Sequence, residues 1–272
     1  MTWSARQSAM LDAMGLRLWQ HLPVDAQPAL GVGRTGPAAP DAMAPPARRL
    51  EASAQAAVAK RAEQPLPSAP AGAAVDASGL DWTALRDAVV NCTACKLCEN
   101  RTQTVFGVGN ERAHWMVVGE APGEQEDLHG EPFVGAAGRL LDNMLRAVGL
   151  TRSEAPPEHS VYIANTLKCR PPRNRNPEPE ELVRCEPFLL RQIELVRPRI
   201  ILAMGRFAVQ SLLRSSEPIG RLRGRVHQYH GVPLIVTYHP AYLLRNLTDK
   251  ARAWEDLCLA MDTLQNHVMK AP

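Results

Sequence analysis

Long apolar runs are missing from this sequence. No stretch approaches the roughly 18 consecutive apolar residues that a bilayer span requires, so no membrane partner is expected. The first twenty residues, MTWSARQSAMLDAMGLRLWQ, hold neither a continuous apolar segment nor a small-residue cleavage site, and do not read as a secretory signal. A cytoplasmic location is the expectation. Aromatic residues are scarce, at 5% of 272 positions, yet hydrophobic residues reach 45%, enough for a sizeable core. Charge imbalance is slight, at +3, and neither demands nor excludes a nucleic-acid partner; local clustering has to decide. Gly-Lys-Ser/Thr is also absent, which excludes a Walker-type phosphate loop.

What is present divides the chain in three. Within residues 1–20, the stretch 5–20 carries Met10, Leu11, Met14, Leu16, Leu18 and Trp19 and reads either as a marginal helix with no fixed structure or as a short amphipathic helix that docks on a protein partner. Residues 21–80 contain no Phe, Trp or Tyr, and Ala and Pro fill 27 of the 60 positions. Such a segment buries too little apolar surface to offset its ordering entropy, and reads as a disordered linker. From residue 81 the pattern becomes that of a folded domain running to 272. Asp81 caps a helix to about Val90. Four short apolar runs follow, His114–Gly119, Ser160–Asn165, Arg199–Met204 and Pro233–Tyr238, each rich in Val or Ile and flanked by turn residues. Helical patterns at 136–149, 178–196 and 205–214 alternate with them, and a last helix covers about 249–267. This order predicts an α/β fold with a parallel sheet covered on both faces, and functional residues at the carboxyl ends of its strands.

Six cysteines occur without a secretory context, so a disulfide framework has little use here. Cys92-x2-Cys95 is followed after 73 residues by Cys169 and after 15 more by Cys185. Four thiolates suit either tetrahedral zinc or a 4Fe-4S cluster. Cys169 and Cys185 also read as small buried apolar residues, as does Cys258 on the last helix. Cys98 extends the first pair to C-x2-C-x2-C, so the spacing leaves open which sulfurs ligate.

Three loops combine turn residues with chemistry. Gly119-Glu120-Ala121-Pro122-Gly123 directly follows the first strand and continues through Glu126 to Gly130-Glu131-Pro132-Phe133-Val134-Gly135-Ala136-Ala137-Gly138. Glycines there allow close backbone approach to a ligand, and the acidic residues argue for water or base handling. Asn165 ends the second strand, where an amide can both donate and accept toward a nucleobase edge. His239 ends the fourth. As ordinary structural residues, these would be a turn, a cap, a core aromatic and a buried imidazole. Basic residues cluster around them: Lys168, Arg170, Arg173 and Arg175, then Arg221, Arg223 and Arg225, and finally Arg245. Two basic groups flanking one cleft fit contact with a nucleic-acid backbone.

Taken in order, the Cys92–Arg101 segment with Thr104–Asn110, GEAPGEQED, GEPFVGAAGRLL, NTLKCRPPRNRNP and HPAYLLR resemble the family 4 uracil-DNA glycosylases over about residues 84–267. The first motif has the GEAPG form of that family. The resemblance implies a three-layer α/β/α sandwich around a four-stranded parallel sheet, a monomeric catalytic domain, and excision of uracil from single- or double-stranded DNA. It implies a 4Fe-4S cluster on Cys92, Cys95, Cys169 and Cys185, with Cys98 spare. Site roles follow by the same route. Phe133 stacks on the extruded base, Asn165 binds its edge, and Glu126 crowds the C5 position. Glu120 and the backbone around Ala121 hold water and sugar, and His239 donates toward O2. Arg170, Arg173, Arg175 and Arg245 face DNA. One departure is visible: Ala241 stands where many members have a phosphate-contacting Ser. A covalently trapping branch of the same fold carries a histidine in the loop after the third cysteine; KCRPPRNRNP has none. An iron–sulfur or zinc adaptor for nucleic acid would need the cysteines and basic loops, but not Glu120, Asn165 and His239 together.

Overall fold

The computed structural model describes residues 75–270. The expected docking helix at 1–20 and most of the linker lie outside these residues. The last six positions assigned to the linker do not behave as one: Ala77 is buried, and Val75 and Leu80 pack beside it against the first helix.

That helix, α1 (Trp82–Val90), is capped by Asp81, whose carboxylate accepts from Ala84 N at 2.9 Å. After a 3-10 turn at Lys96–Glu99 come β1 (Val108–Gly109), β2 (Trp115–Gly119), α2 (Glu124–His129) and α3 (Ala136–Ala147). Next are β3 (Val161–Asn165), a second 3-10 turn (Pro172–Asn174), α4 (Pro179–Val196), β4 (Ile200–Met204) and α5 (Arg206–Leu213). The chain ends with α6 (Ile219–Leu222), β5 (Val226–Tyr229), β6 (Val232–Thr237), α7 (Pro240–Leu243) and α8 (Asp249–Lys270).

Strand order is β1-β3-β2-β4-β6-β5. The inner four, β3, β2, β4 and β6, are parallel and match the four expected runs. Every residue of β2, β3 and β4 is buried, which is why these strands read as unbroken apolar runs. Alternate side chains enter opposite layers. Val117, Ile163, Leu202 and Ile235 pack with α3 and α8, whereas Met116, Ala164, Ala203 and Val236 pack with α4 and α5. The result is an α/β/α sandwich.

The sheet has six strands rather than four. β1 and β5 add antiparallel edges, to β3 and β6 respectively. β1 is two residues long, too short to show a period. β5 is mostly exposed and carries no apolar run; it pairs through a two-residue turn in which His230 and Gly231 both have positive φ, 46° and 83°.

Strands β2 and β3 run in register, Gly119 opposite Asn165. The backbone bonding continues past the strand ends: Thr166 N donates to Gly119 O at 3.0 Å, and Leu167 N to Glu120 O at 3.1 Å. The first motif loop is thereby tied to the segment leading to Cys169. A second fixed point is Gly138. A Cβ there would overlap the backbone carbonyl of Phe133, which itself adopts a left-handed φ of 57°. Helix α3 thus presses directly on the loop that presents Phe133. Gly138→Ala is expected to destabilise the domain by about 3 kcal/mol, since backbone rather than a flexible side chain must move; thermal unfolding measures it.

Candidate active site

A cleft of about 770 Å³ opens at the carboxyl ends of β2, β3, β4 and β6. Glu120, Ala121, Glu126, Phe133, Asn165, His239 and Arg245, all singled out in the sequence, line it together. Gly205, Arg206, Tyr238 and Tyr242 are among the other residues of the wall. Gly205 and Arg206 were not singled out in the sequence, although they directly follow β4 and strand-end position was signal enough.

Phe133 and His239 lie side by side, ring centroids 5.3 Å apart and 28° from parallel. Gly119 makes room for the first: a Cβ there would meet both the Phe133 ring and Asn165 Oδ1. Gly205, with φ 87°, makes room for the second, since a Cβ would stand 3.1 Å from that of His239. Asn165 is 2% exposed, and its Oδ1 is buried without a hydrogen-bond partner in the protein. An unpaired buried carbonyl costs free energy until something donates to it. This one faces the cleft.

His239 begins α7. Its Nδ1 accepts from Ala241 N at 3.2 Å, which leaves the ring proton on Nε2. Burial pulls the imidazole down to about 4, with Glu126 favouring and Arg245 opposing the charged form. The ring is therefore neutral at pH 7 and can donate only through Nε2. Burial acts on Glu120 in the opposite sense, pushing its carboxyl up to about 7 against a smaller pull from Arg206.

Glu126 lines the cleft with both oxygens engaged. Oε2 accepts from Gly123 N at 3.0 Å, and Oε1 from Val134 N at 3.0 Å and Gly135 N at 3.3 Å. It clamps the GEAPG loop to the Phe133 loop, so its carboxylate is a fixed wall rather than a mobile group.

The basic residues divide. Arg173 and Arg245 are exposed, and Arg221 and Arg225 likewise. Arg170 is half-buried, donating to Asn174 Oδ1 at 2.8 Å and standing 3.7 Å from Glu124. Arg175 lines the cleft, but its guanidinium is held bidentately by Glu181 at 2.6 and 2.9 Å, with Glu178 at 3.2 Å. Its main bond is thus internal. Arg223 is spent on Glu255, Asp256 and the Arg252 carbonyl of α8. Lys168, expected on the basic surface, is 1% exposed and belongs to the core.

A second, small apolar cavity lies beneath α1. Cys92, Cys95, Cys98, Cys169 and Cys185 line it, with Arg101, Lys168 and Phe188. Arg101 Nη1 donates to Cys169 Sγ at 3.2 Å and to Cys92 O at 2.9 Å; Lys168 N donates to Cys185 Sγ at 3.3 Å. Burial pushes the thiols of Cys95 and Cys185 up to about 11 and about 12. Among the described residues, no three His, Cys, Asp or Glu side chains are grouped as for a single metal ion. Cys258 stands elsewhere, half-buried against the α3–α8 layer.

A flat platform, an unpaired buried amide oxygen and a neutral imidazole converging at strand ends define a pocket for a planar heterocycle with polar edges. A family model described as the Uracil DNA glycosylase superfamily matches residues 106–258. The type-4 uracil-DNA glycosylase of Archaeoglobus fulgidus is 46% identical over 164 residues, covering 57% of this chain and 79% of its own. Those of Thermotoga maritima and Saccharolobus solfataricus are 45% and 43% identical, covering 60% of this chain and 83% and 76% of theirs. The chain belongs to the uracil-DNA glycosylase superfamily, in its type-4 branch.

Proposed function

We propose that this protein hydrolyses the N-glycosidic bond of uracil in DNA, releasing the base and leaving an abasic site. The observation that carries the reading is the unpartnered Asn165 Oδ1 beside the Phe133 ring and the Nε2–H of His239. Uracil inside a duplex is out of reach, so it has to leave the stack. The exposed Arg173 and Arg245 attract the backbone, and Phe133 offers the extruded base a flat apolar face. Uracil N3–H supplies the donor that Asn165 Oδ1 lacks; cytosine presents an acceptor at N3 and repels it.

Bond cleavage leaves negative charge on the base and positive charge on the sugar. A neutral imidazole donating from Nε2 toward O2 gains strength as that charge develops, which is the condition for lowering a barrier. The Glu120 carboxylate offsets the sugar charge and holds the attacking water. The Glu126 clamp fixes the loop wall against the C5 edge, where a methyl group would collide.

The type-4 family implies an iron–sulfur cluster, and the residues beneath α1 fit one. Cys92, Cys95, Cys169 and Cys185 would hold it. The cavity offers soft donors and N–H groups from Arg101 and Lys168 aimed at sulfur. When bound, such a cluster supplies a rigid cross-link between α1, the Cys169 segment and α4.

Uracil-containing single-stranded DNA, incubated with the protein and treated with alkali, should break at uracil positions. An intact strand would falsify the reading. His239→Ala should lower turnover about a hundredfold while DNA binding persists, the loss typical of one donor to a developing anion. Turnover should fall as pH drops below about 7, because the Glu120 carboxylate is the working form. Glu120→Gln should remove that limb, whereas His239, already neutral above about 4, contributes no inflection near neutrality. Cys169→Ser should yield colourless, less stable protein; iron and sulfide determination beside a thermal melt decides whether that thiol ligates or Cys98 serves instead.

A further inference from the structure

Lys168 is among the largest fully buried side chains in the protein. A sealed ammonium is costly unless its donors are met. Here the acceptors are two neutral oxygens: Asn165 O at 2.8 Å and Gln192 Oε1 at 2.7 Å. Gln192, itself fully buried, donates from Nε2 to Phe106 O at 2.9 Å and to Tyr162 Oη at 3.2 Å. Its amide is thereby locked with the oxygen toward Lys168. On its other side Lys168 lines the cavity that also holds Cys169 and Cys185.

Lys168 thus touches both sites. Its backbone N donates to Cys185 Sγ, and its Nζ reaches back three residues to the carbonyl of Asn165. The next carbonyls along the β2 edge are already taken: Gly119 O by Thr166 N and Glu120 O by Leu167 N. The Asn165 carbonyl, at the last position of β3, is fixed by Lys168. Whatever fixes that peptide fixes the direction of a side chain whose oxygen has no other anchor.

We propose that Lys168 is a positioning residue for base recognition, its ammonium held between Gln192 and the cysteine cavity so that it pins the Asn165 peptide and aims the Asn165 amide at the base edge. The inference rests on the glycosylase reading above. It makes the thiol site part of the recognition apparatus as well as a brace for the basic loop. It assigns a role to a lysine that never meets DNA.

The test uses the full chain with its iron content determined. Lys168→Met keeps the volume and removes both hydrogen bonds. It should lower kcat/KM on uracil-containing single-stranded DNA at least about tenfold, the scale of one to two buried bonds. Affinity for abasic DNA, which lacks the base, should stay within about twofold by the same scale, and the iron content should be unchanged. In an Asn165→Ala background the same substitution should add little, because the two act through one amide. Additive losses in that cycle overturn the proposal, and so does wild-type kcat/KM in Lys168→Met. Should Lys168→Met be insoluble, Gln192→Leu serves in its place, leaving the ammonium with one fewer acceptor. It should lower kcat/KM about threefold with iron retained, by loss of part of one bond; unchanged kcat/KM overturns the idea equally. Wild-type protein that excises no uracil removes the glycosylase reading and this one together, whereas active wild type with additive variants removes only Lys168.

Discussion

The pairing of β2 with β3 is the constraint on which the rest of the molecule hangs. Gly119 opposite Asn165 brings two loops, 46 positions apart along the chain, to one place, and the bonds from Thr166 and Leu167 carry that pairing beyond the sheet. Parallel strands buried on both faces cannot slip by one residue without turning a whole apolar set toward the wrong layer. The register is therefore stiff, and so is everything attached to its ends. Glu120 and the GEAPG turn leave one strand; Asn165, Lys168 and Cys169 leave the other. Glycine at 119 is part of the same constraint, because any side chain there would occupy the space of the Phe133 ring and the Asn165 amide.

Desolvation then sets the chemistry. Neither His239 nor Glu120 owes its state mainly to a charged partner; burial leads for both, lowering one and raising the other. The same dry environment gives a neutral hydrogen-bond donor and a carboxylate that ionises near neutrality. The base is neutral while still bonded to the sugar, so the hydrogen bond from a neutral imidazole is modest in the ground state and strengthens as negative charge develops. Lys168 belongs to the same logic at one remove, since its buried ammonium depends on a peptide and an amide oxygen.

Much of this was legible in the sequence, and the parts that were not share a cause. The four inner strands showed as apolar runs because they are buried on both sides, and the cleft residues showed because they stand at the ends of those runs. β1 and β5 did not: one is too short for a pattern and the other too exposed. Charge clustering misled for a related reason. Lys168, Arg175 and Arg223 sit among other basic residues along the chain, yet one points into the core, one is clamped by Glu181, and one is tethered to α8. Linear proximity reports how many charges are near, not which way each points. The acid that neutralises Arg175 lies six residues on, beyond the acid-free stretch that made the cluster look free. The order of the linker's last residues was equally hidden, since Ala77 is too small to announce its burial.

Distance along the chain also shows how a cluster on the thiols would bear on a cleft they do not line. Cys95 and Cys169 bracket the segment that carries Glu120, Glu126, Phe133 and Asn165. Ligation of both to one cluster would close a loop of 73 intervening residues. On the chain-entropy scale used for cross-links, such a closure removes about 4 kcal/mol of freedom from the unfolded chain. That is a substantial share of the roughly 5–15 kcal/mol by which domains are stable. Cys185 extends the link to α4, whose capping box and Arg175–Glu181 pair hold the basic loop. A clip at this position would stabilise the parts of the fold that hold the cleft residues, and would leave the cleft mouth, with Arg173 and Arg245 exposed, outside the closed loop.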